Sequence, residues 1–559
     1  MKKIFIYLLP VLFLSSCDYL EPRPIQDQTD DDLWTTSFYG EGILTTAYTS
    51  LNTMYPVSMD YYTDNAVPSV AGANNLALGS WTVENNPIGD WAGYYNNLKY
   101  LNIFLEKGRN LVYIVSDPVT DSAYKINRIG EAFFLRAWYH WELLKNYGGK
   151  VDGRNEVYGV PIVNKVLTVE DNYDLPRATY EEVVDQILAD CDSAYDILPF
   201  RYNGSETYNS NIQTGRANGL AALALKARVC LSAASPAYGP SSTELWERAA
   251  QAAYDAISAD GGLVELGAYG DFNNDKSEDM IWVQPSYTGN TEENLYYPPS
   301  LYGDGSCNPS QNLVDLFPAA DGYPITESTA YDPSDPYANR DPRFNRFIFF
   351  NGDVYNKTTV ATYEGGADAP GGLSQQGTRT GYYLKKLTSS TVKLTPGKVT
   401  AAVKFYVFLA RTELYLNFAE AANEAYGPNA GPFDFTAADA MRIIRTRAGI
   451  DSDPATEGYQ DQYLEDQVAA GKEAFRDFIQ DNRRIELCFE GFRFWDIRRW
   501  NLPLNHTVKG VKITDNSGTY SYDYVDVEEH SYQDYMRYVP LPYYQTLIMS
   551  DLPQNSGWE

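Results

Sequence analysis

Histidine is almost missing from this chain. His140, His506 and His530 are the only three in 559 residues, and they lie far apart in sequence. That scarcity argues against a histidine-rich metal centre or a relay needing several imidazoles. Positive charge is also short: 44 Lys and Arg stand against 74 Asp and Glu, a formal −30. Such a chain repels phosphate backbones, so nucleic acid is not expected as a partner. The five cysteines (Cys17, Cys191, Cys230, Cys307 and Cys488) match no zinc or C-x-x-C spacing. Cys191, Cys230 and Cys488 fall in helical stretches and read as buried free thiols. No G-x-S-x-G, H-E-x-x-H, Walker loop or G-x-G-x-x-G occurs. With 74 acidic residues, a carboxylate pair at glycosidase spacing arises by chance, and none stands out. Residues 271–282, DFNNDKSEDMIW, alternate oxygen ligands as a calcium loop does. They carry Lys276 where that loop needs Gly and Trp282 where it needs a bidentate Glu, so they read as a polar loop. No cofactor is expected.

Aromatics, in contrast, are plentiful. There are 23 Phe, 10 Trp and 47 Tyr, so Tyr alone exceeds half of them. Tyr joins a flat apolar face to a polar tip, which suits a wet recognition surface. A 44% hydrophobic content supplies an ample core, and the length suggests several domains or one large repetitive body. The chain begins MKKIFIYLLPVLFLSSC. Lys2 and Lys3 precede a short apolar run ending in Leu14-Ser15-Ser16-Cys17, which resembles a bacterial lipobox. Residues 1–16 read as a signal peptide and Cys17 as the lipidation site. Several acyl chains there would anchor the protein stably, at about 0.8 kcal/mol per buried CH₂. Residues 17–32, with Pro22 and Pro24 and no apolar periodicity, read as an extended tether. No later run of apolar residues is long enough to span a bilayer.

The body, residues 33–559, reads as a helical scaffold over about 88–260 and 404–500, with a C-terminal tail at 501–559. Residues 131–149, EAFFLRAWYHWELLKNYGG, are apolar on nearly every face, so that helix must be sandwiched. In residues 177–198, Thr179 followed by Glu182 forms a capping-box pattern. Residues 215–235 and 243–259 are Ala-rich and amphipathic, and residues 406–426 with 437–447 form a similar pair. Paired Ala-rich helices of this length resemble tetratricopeptide hairpins. Periodicity vanishes in the loop-rich stretches of about 59–95 and 261–403, apart from short strand-like runs at 280–283 and 344–350. Loops this long in a compact protein are usually functional. The expected fold is mainly α: tetratricopeptide-like hairpins supporting an irregular, loop-rich region with short strands.

Four segments carry a family resemblance. They are FFLRAWYHWELLKNYGG (133–149), GRANGLAALALKARVCL (215–231), RTELYLNFAEA (411–421) and NRRIELCFEGFRFWDIRRW (482–500). Together with the lipobox and the ending VPLPYYQTLIMSDLPQNSGWE, they resemble the SusD/RagB-like outer-membrane nutrient-binding lipoproteins of Bacteroidetes. Leu541, Ser556 and the lack of a Glu soon after Pro542 depart mildly from the family's ending. By itself the fourth segment reads as scaffold. Its charges, from Arg483 to Arg499, are spaced for i,i+3 and i,i+4 ion pairs, and Gly491 would let two helices abut. The resemblance implies a surface lipoprotein that captures an oligosaccharide or polysaccharide and delivers it to a SusC-like TonB-dependent transporter, without catalysis. A peptide-capture protein, a surface glycosidase and a purely structural assembly protein are the alternatives.

A sugar ring has an apolar C–H face and a hydroxyl rim, so flat aromatics beside polar side chains are the candidates. In the first loop set these are Tyr61, Tyr62 and Trp81, with Asp64, Asn74 and Asn75. In the second they are Tyr287, Tyr296, Tyr297 and Tyr302. Trp34 and Trp282 read as core, and Trp138, Trp141, Trp495 and Trp500 as packing of the motif helices.

Overall fold

The computed structural model describes residues 34, 37–73, 75–240, 242–269, 277–404, 406–450 and 461–558. The expected signal peptide, the expected lipidation site Cys17, the expected tether, Asn74 and residues 271–276 of the acidic loop lie outside them.

The N-terminal helices are α1 (Ser37–Thr49), α2 (Trp91–Lys107), α3 (Pro118–Tyr147), α4 (Tyr180–Ile197), α5 (Gly219–Ala234) and α6 (Thr243–Ala259). After the loop-rich middle come α7 (Arg411–Tyr426), α8 (Ala437–Ala448), α9 (Gln462–Ala470), α10 (Lys472–Glu486) and α11 (Arg493–Arg499). Consecutive helices from α1 to α6 pack on one another, and α7 continues the stack against α6, with α8 and α10 against α7. This is the mainly α, hairpin-stacked fold that the periodicity predicts.

The local signals act as the sequence suggests. Thr179 and Glu182 cap α4 reciprocally, and Asn218 caps α5 through the Ala221 N–H. Helix α3 starts earlier than its apolar stretch. Asp117 accepts from the N–H groups of Val119 and Thr120, and Pro118 occupies the first turn, where its missing N–H costs nothing. From Asn127 to Tyr147 this helix is buried almost without interruption. It sits between α2, α4 and α5, which explains its all-round hydrophobicity.

Two expected elements differ. Helix α7 begins at Arg411 rather than Tyr406. Residues Val407–Ala410 form a strand instead, pairing antiparallel with Met280–Val283, where Trp282 opposes Leu409. Residues 344–350 are half helix (Pro342–Phe347), followed by a two-residue strand, Ile348–Phe349, on Tyr383–Leu384. The C-terminal tail also holds a long antiparallel hairpin, Thr507–Asp515 with Tyr520–Glu529, that helical periodicity could not reveal.

The motif's ion pairs are long-range. Only Arg499–Asp496 is an i,i+3 pair within the 482–500 segment. Asp496 also takes Arg483 at 3.0 Å, Arg499 reaches Glu420 at 2.5 Å, and Glu486 takes Arg343 and Arg447 at 2.9 and 2.7 Å. Lys386 pairs with Glu490 at 2.5 Å. The segment is the hub of a buried network, not a self-contained charged helix. Gly491 adopts φ +83° in the turn between α10 and α11, and a Cβ there would meet Pro56 Cγ at 2.5 Å. The glycine admits Pro56, not a second helix.

Candidate ligand-binding site

The two loop sets meet through a short antiparallel ladder of β1 (Ala66–Pro68) and β2 (Cys307–Pro309). Ala66 faces Pro309, Val67 faces Asn308 and Pro68 faces Cys307. One step further, the Ser69 N–H donates to the Ser306 carbonyl at 3.0 Å. From this edge residues 70–73 leave on one side and the Tyr302–Ser306 turn on the other. Arg379 clamps the junction. Its N–H donates to Asn308 Oδ1 at 3.0 Å, its Nη1 to the Pro68 carbonyl at 3.1 Å, and its guanidinium pairs with Glu528 at 2.9 Å. The loop face thus rests on backbone bonds and a charge clamp.

Tyr302 is the most open of the candidate aromatics, at 57% exposure. It ends the short turn Pro299–Leu301 in a left-handed conformation, φ 68°, and its N–H donates to the Pro299 carbonyl at 2.9 Å. That backbone is unusual for a bulky residue and turns the ring outward. Asn75 and Val70 are also exposed. Tyr61, Tyr62 and Tyr287 are half-buried. Tyr61 reaches the Ser306 carbonyl at 3.4 Å, and Tyr287 donates to Glu292 at 2.6 Å.

Four candidates lose the exposure on which they rested. Trp81 is 2% exposed and packs on Trp558 with ring centroids 5.1 Å apart, its indole N–H on Asn86 Oδ1 at 3.1 Å. Preceding it, a kinked turn at Leu76–Ser80, with Gly79 at φ 91°, is tied to the tail by the Ser531 N–H on the Ala77 carbonyl. That contact folds the tryptophan inward. Tyr296 and Tyr297 are buried, and the Tyr297 hydroxyl donates to the carbonyl of Ser389 at 2.7 Å. Asp64 is buried among Arg484, Arg493 and His506. Burial would raise its pKa, but Arg484 and Arg493 outweigh that and hold it far below the usual carboxylate range. Polar, aromatic loop composition did not distinguish residues packed by a distant tail from those left in solvent.

The structure also holds a feature the sequence reading missed. A crevice of about 130 Å³ opens between α3, α5, the 52–56 turn and the motif segment, lined by Trp138, Trp141 and Trp495 among others. A second cavity of about 150 Å³ adjoins it and shares Tyr55, Phe408, Glu490 and Phe492. From sequence alone these three tryptophans read as packing of the motif helices, whereas in the structure they also line the crevice. The only sequence signal for the crevice was an unusual density of Trp in the motif helices.

Among the described residues, no group of three or more His, Cys, Asp or Glu is placed to hold a metal ion. His506 and His530, remote in sequence, come together at the base of the C-terminal hairpin with ring centroids 6.3 Å apart. His140 is elsewhere, with its Nδ1 3.0 Å from the Arg136 carbonyl. No helix among the described residues is long and apolar enough to cross a membrane.

Helical stack, fused loop face and motif segment together define a known class. Residues 269–558 match the SusD family, and residues 18–231 match a family described as starch-binding and associating with the outer membrane. The first match spans more than half of the chain, which therefore belongs to the SusD family. A SusD-like protein of Formosa agariphila is 25% identical over 200 residues, covering 34% of this chain and 36% of that protein. The match thus spans about a third of that relative's length. A SusD-like protein of Bacteroides fragilis is 25% identical, with a TM-score of 0.73 over 95% of this chain and 99% of the other. A SusD-like carbohydrate-binding protein of the same species, at 20% identity, shares the fold with a TM-score of 0.68 over 93% of this chain and 99% of its own.

Proposed function

We propose that this protein is a surface lipoprotein, anchored to the outer membrane through Cys17. It binds an oligosaccharide or polysaccharide nutrient without catalysis and delivers it to a SusC-like TonB-dependent transporter. The observation that carries the binding step is the fusion of the two loop sets at Ser69 and Ser306, beside an outward Tyr302. An outward aromatic plate suits the C–H face of a sugar, and the exposed Asn75 on the other loop set offers an amide for its hydroxyl rim. Family membership, the starch-binding description of the family matched by residues 18–231, and the lipobox support the remaining steps. Binding concentrates the polymer; the energy for uptake comes from the transporter's partner system.

Affinity electrophoresis and calorimetry of the full-length protein against a panel of neutral polysaccharides test this reading. At least one polysaccharide should retard the protein, and Tyr302→Ala should reduce that retardation by about tenfold or more, the loss of one stacking anchor being worth over 1 kcal/mol. Retardation by none, or retention unchanged in Tyr302→Ala and in Asn75→Ala, overturns the loop-face assignment. Release of reducing ends from any retained polymer overturns the non-catalytic assignment.

A further inference from the structure

The crevice beside the motif segment is separate from the loop face and has its own chemistry. Every charged side chain lining it has an opposite partner. Lys145 pairs with Glu142 at 2.8 Å, Lys386 with Glu490 at 2.5 Å, and Arg228 with Glu413. Arg483 and Arg499 share Asp496 at 3.0 and 2.7 Å. A charged ligand would meet no free counter-charge and would have to give up its hydration to enter.

The uncharged polar groups are the reverse. The indole N–H groups of Trp138 and Trp141 and the hydroxyls of Tyr238 and Tyr406 all line the crevice, and among the described residues none has a hydrogen-bond partner. Trp138 and Trp141 are 7% and 5% exposed as residues, and their indole N–H groups, absent from the buried unpartnered atoms, open onto the crevice. Polar groups open to a crevice and not used by the protein are available to a ligand in place of water. Here two donors and two hydroxyls converge where aromatic faces also converge: Tyr55 and Tyr406, with ring centroids 4.6 Å apart, share the crevice with Trp138, Trp141 and Trp495.

Size sets the ligand. A cavity of about 150 Å³ takes a bare benzene ring, so a sugar ring with its hydroxyls needs the crevice and the adjoining cavity together. The crevice measures about 130 Å³ and the adjoining cavity about 150 Å³. Flat apolar walls, unused neutral donors, paired charges and room for a single ring describe the complement of a neutral polyhydroxylated ring.

We infer that the crevice lined by Trp138, Trp141, Tyr238 and Tyr406 is a second binding site, which takes one neutral monosaccharide. It does not rest on the loop-face reading. A polymer passing over Tyr302 would not enter a pocket of one-ring size, so the crevice senses or holds a released sugar.

Calorimetry and tryptophan fluorescence of the full-length protein with D-glucose, D-galactose, D-mannose, D-xylose, L-arabinose and N-acetylglucosamine, each at millimolar concentration, test the inference. At least one should bind and shift the tryptophan emission. Trp141→Phe keeps the wall and removes the donor; Tyr238→Phe keeps the stack on Tyr180, at 4.8 Å, and removes the hydroxyl. Each should weaken binding about 3- to 10-fold, the worth of one hydrogen bond. Tyr302→Ala should leave monosaccharide affinity unchanged, and added salt should alter it less than about twofold, as expected for a neutral ligand. No binding of any of the six sugars overturns the inference, as does affinity unchanged in both Phe variants. Loss of monosaccharide binding in Tyr302→Ala assigns the sugar to the loop face and also overturns it. Should Trp141→Phe lose its near-ultraviolet circular dichroism, Tyr238→Phe alone decides.

Discussion

Arg493 and Asp64, 429 residues apart, meet in a two-pronged pair: Nε to Oδ1 at 2.9 Å and Nη2 to Oδ2 at 3.0 Å. The pair fastens the motif segment to the first loop set, and Arg484 joins it through the Asp64 carbonyl at 3.0 Å. A residue whose chemistry suits a sugar hydroxyl is thus a clamp of the scaffold. Asp64→Ala strands two buried guanidinium groups and should cost about 3–5 kcal/mol of stability. Urea denaturation reads this directly. Polysaccharide affinity per folded molecule should stay within twofold of wild type, a small change beside the tenfold of a lost anchor. Lost affinity at unchanged stability would return Asp64 to the ligand set.

Trp81 and Tyr302 make an informative contrast, because they looked alike in sequence. Truncating the buried Trp81 should destabilise by about 3–5 kcal/mol. Tyr302→Ala touches an exposed side chain and should stay within about 0.5 kcal/mol, while weakening polysaccharide retention. Paired denaturation and affinity electrophoresis of the two variants check both. A Tyr302→Ala protein as unstable as Trp81→Ala would mean that Tyr302 packs rather than presents.

Acid should loosen the hairpin base through His530. Burial pushes the His530 imidazole down to about 4, helped by the neighbouring His506, against the pull of Glu528 and Asp64; neither ring nitrogen has a partner. The folded state therefore favours the neutral ring. Its contribution is fully present above the ordinary value near 6.5 and is lost as pH falls from 6.5 toward 4. Burial also lowers His140 to about 4, with the same sign. Asp60 works oppositely. Burial lifts its carboxyl to about 6, so its stabilising protonated form is lost as pH rises through 6. Urea midpoints at neutral pH and near pH 4.5 should show a smaller acid loss for His530→Gln than for wild type. An equal loss in both proteins would remove His530 from the acid response.

Gly491 should tolerate no side chain. A left-handed backbone costs an L-residue roughly 1–2 kcal/mol, and a Cβ at 2.5 Å from Pro56 Cγ adds a clash. Gly491→Ala should therefore lower the thermal midpoint more than Gly427→Ala. Gly427 also has φ near +93°, but nothing lies within 4 Å of its would-be Cβ. Equal losses would attribute the whole effect to backbone conformation.

Several features follow from the chain's own order of residues. The apolar α3 stretch, the Thr179–Glu182 cap, the Ala-rich α5 and α6 and the motif segment are local patterns with 3.6-residue periodicity, and the stack follows from them. Which loop aromatics face water was decided elsewhere. Trp81 and Tyr302 share composition and context, yet one is covered by Trp558 and Tyr532 from the far end of the chain and the other by nothing of the kind. The hydrogen-bonded side-chain partners of Asp64, Glu486 and Glu490 are likewise set by segments between 39 and 429 residues distant. Periodicity records only what neighbours three or four positions away require. Burial and charge pairing depend on which surfaces the folded chain brings into contact, so here tertiary packing had the last word.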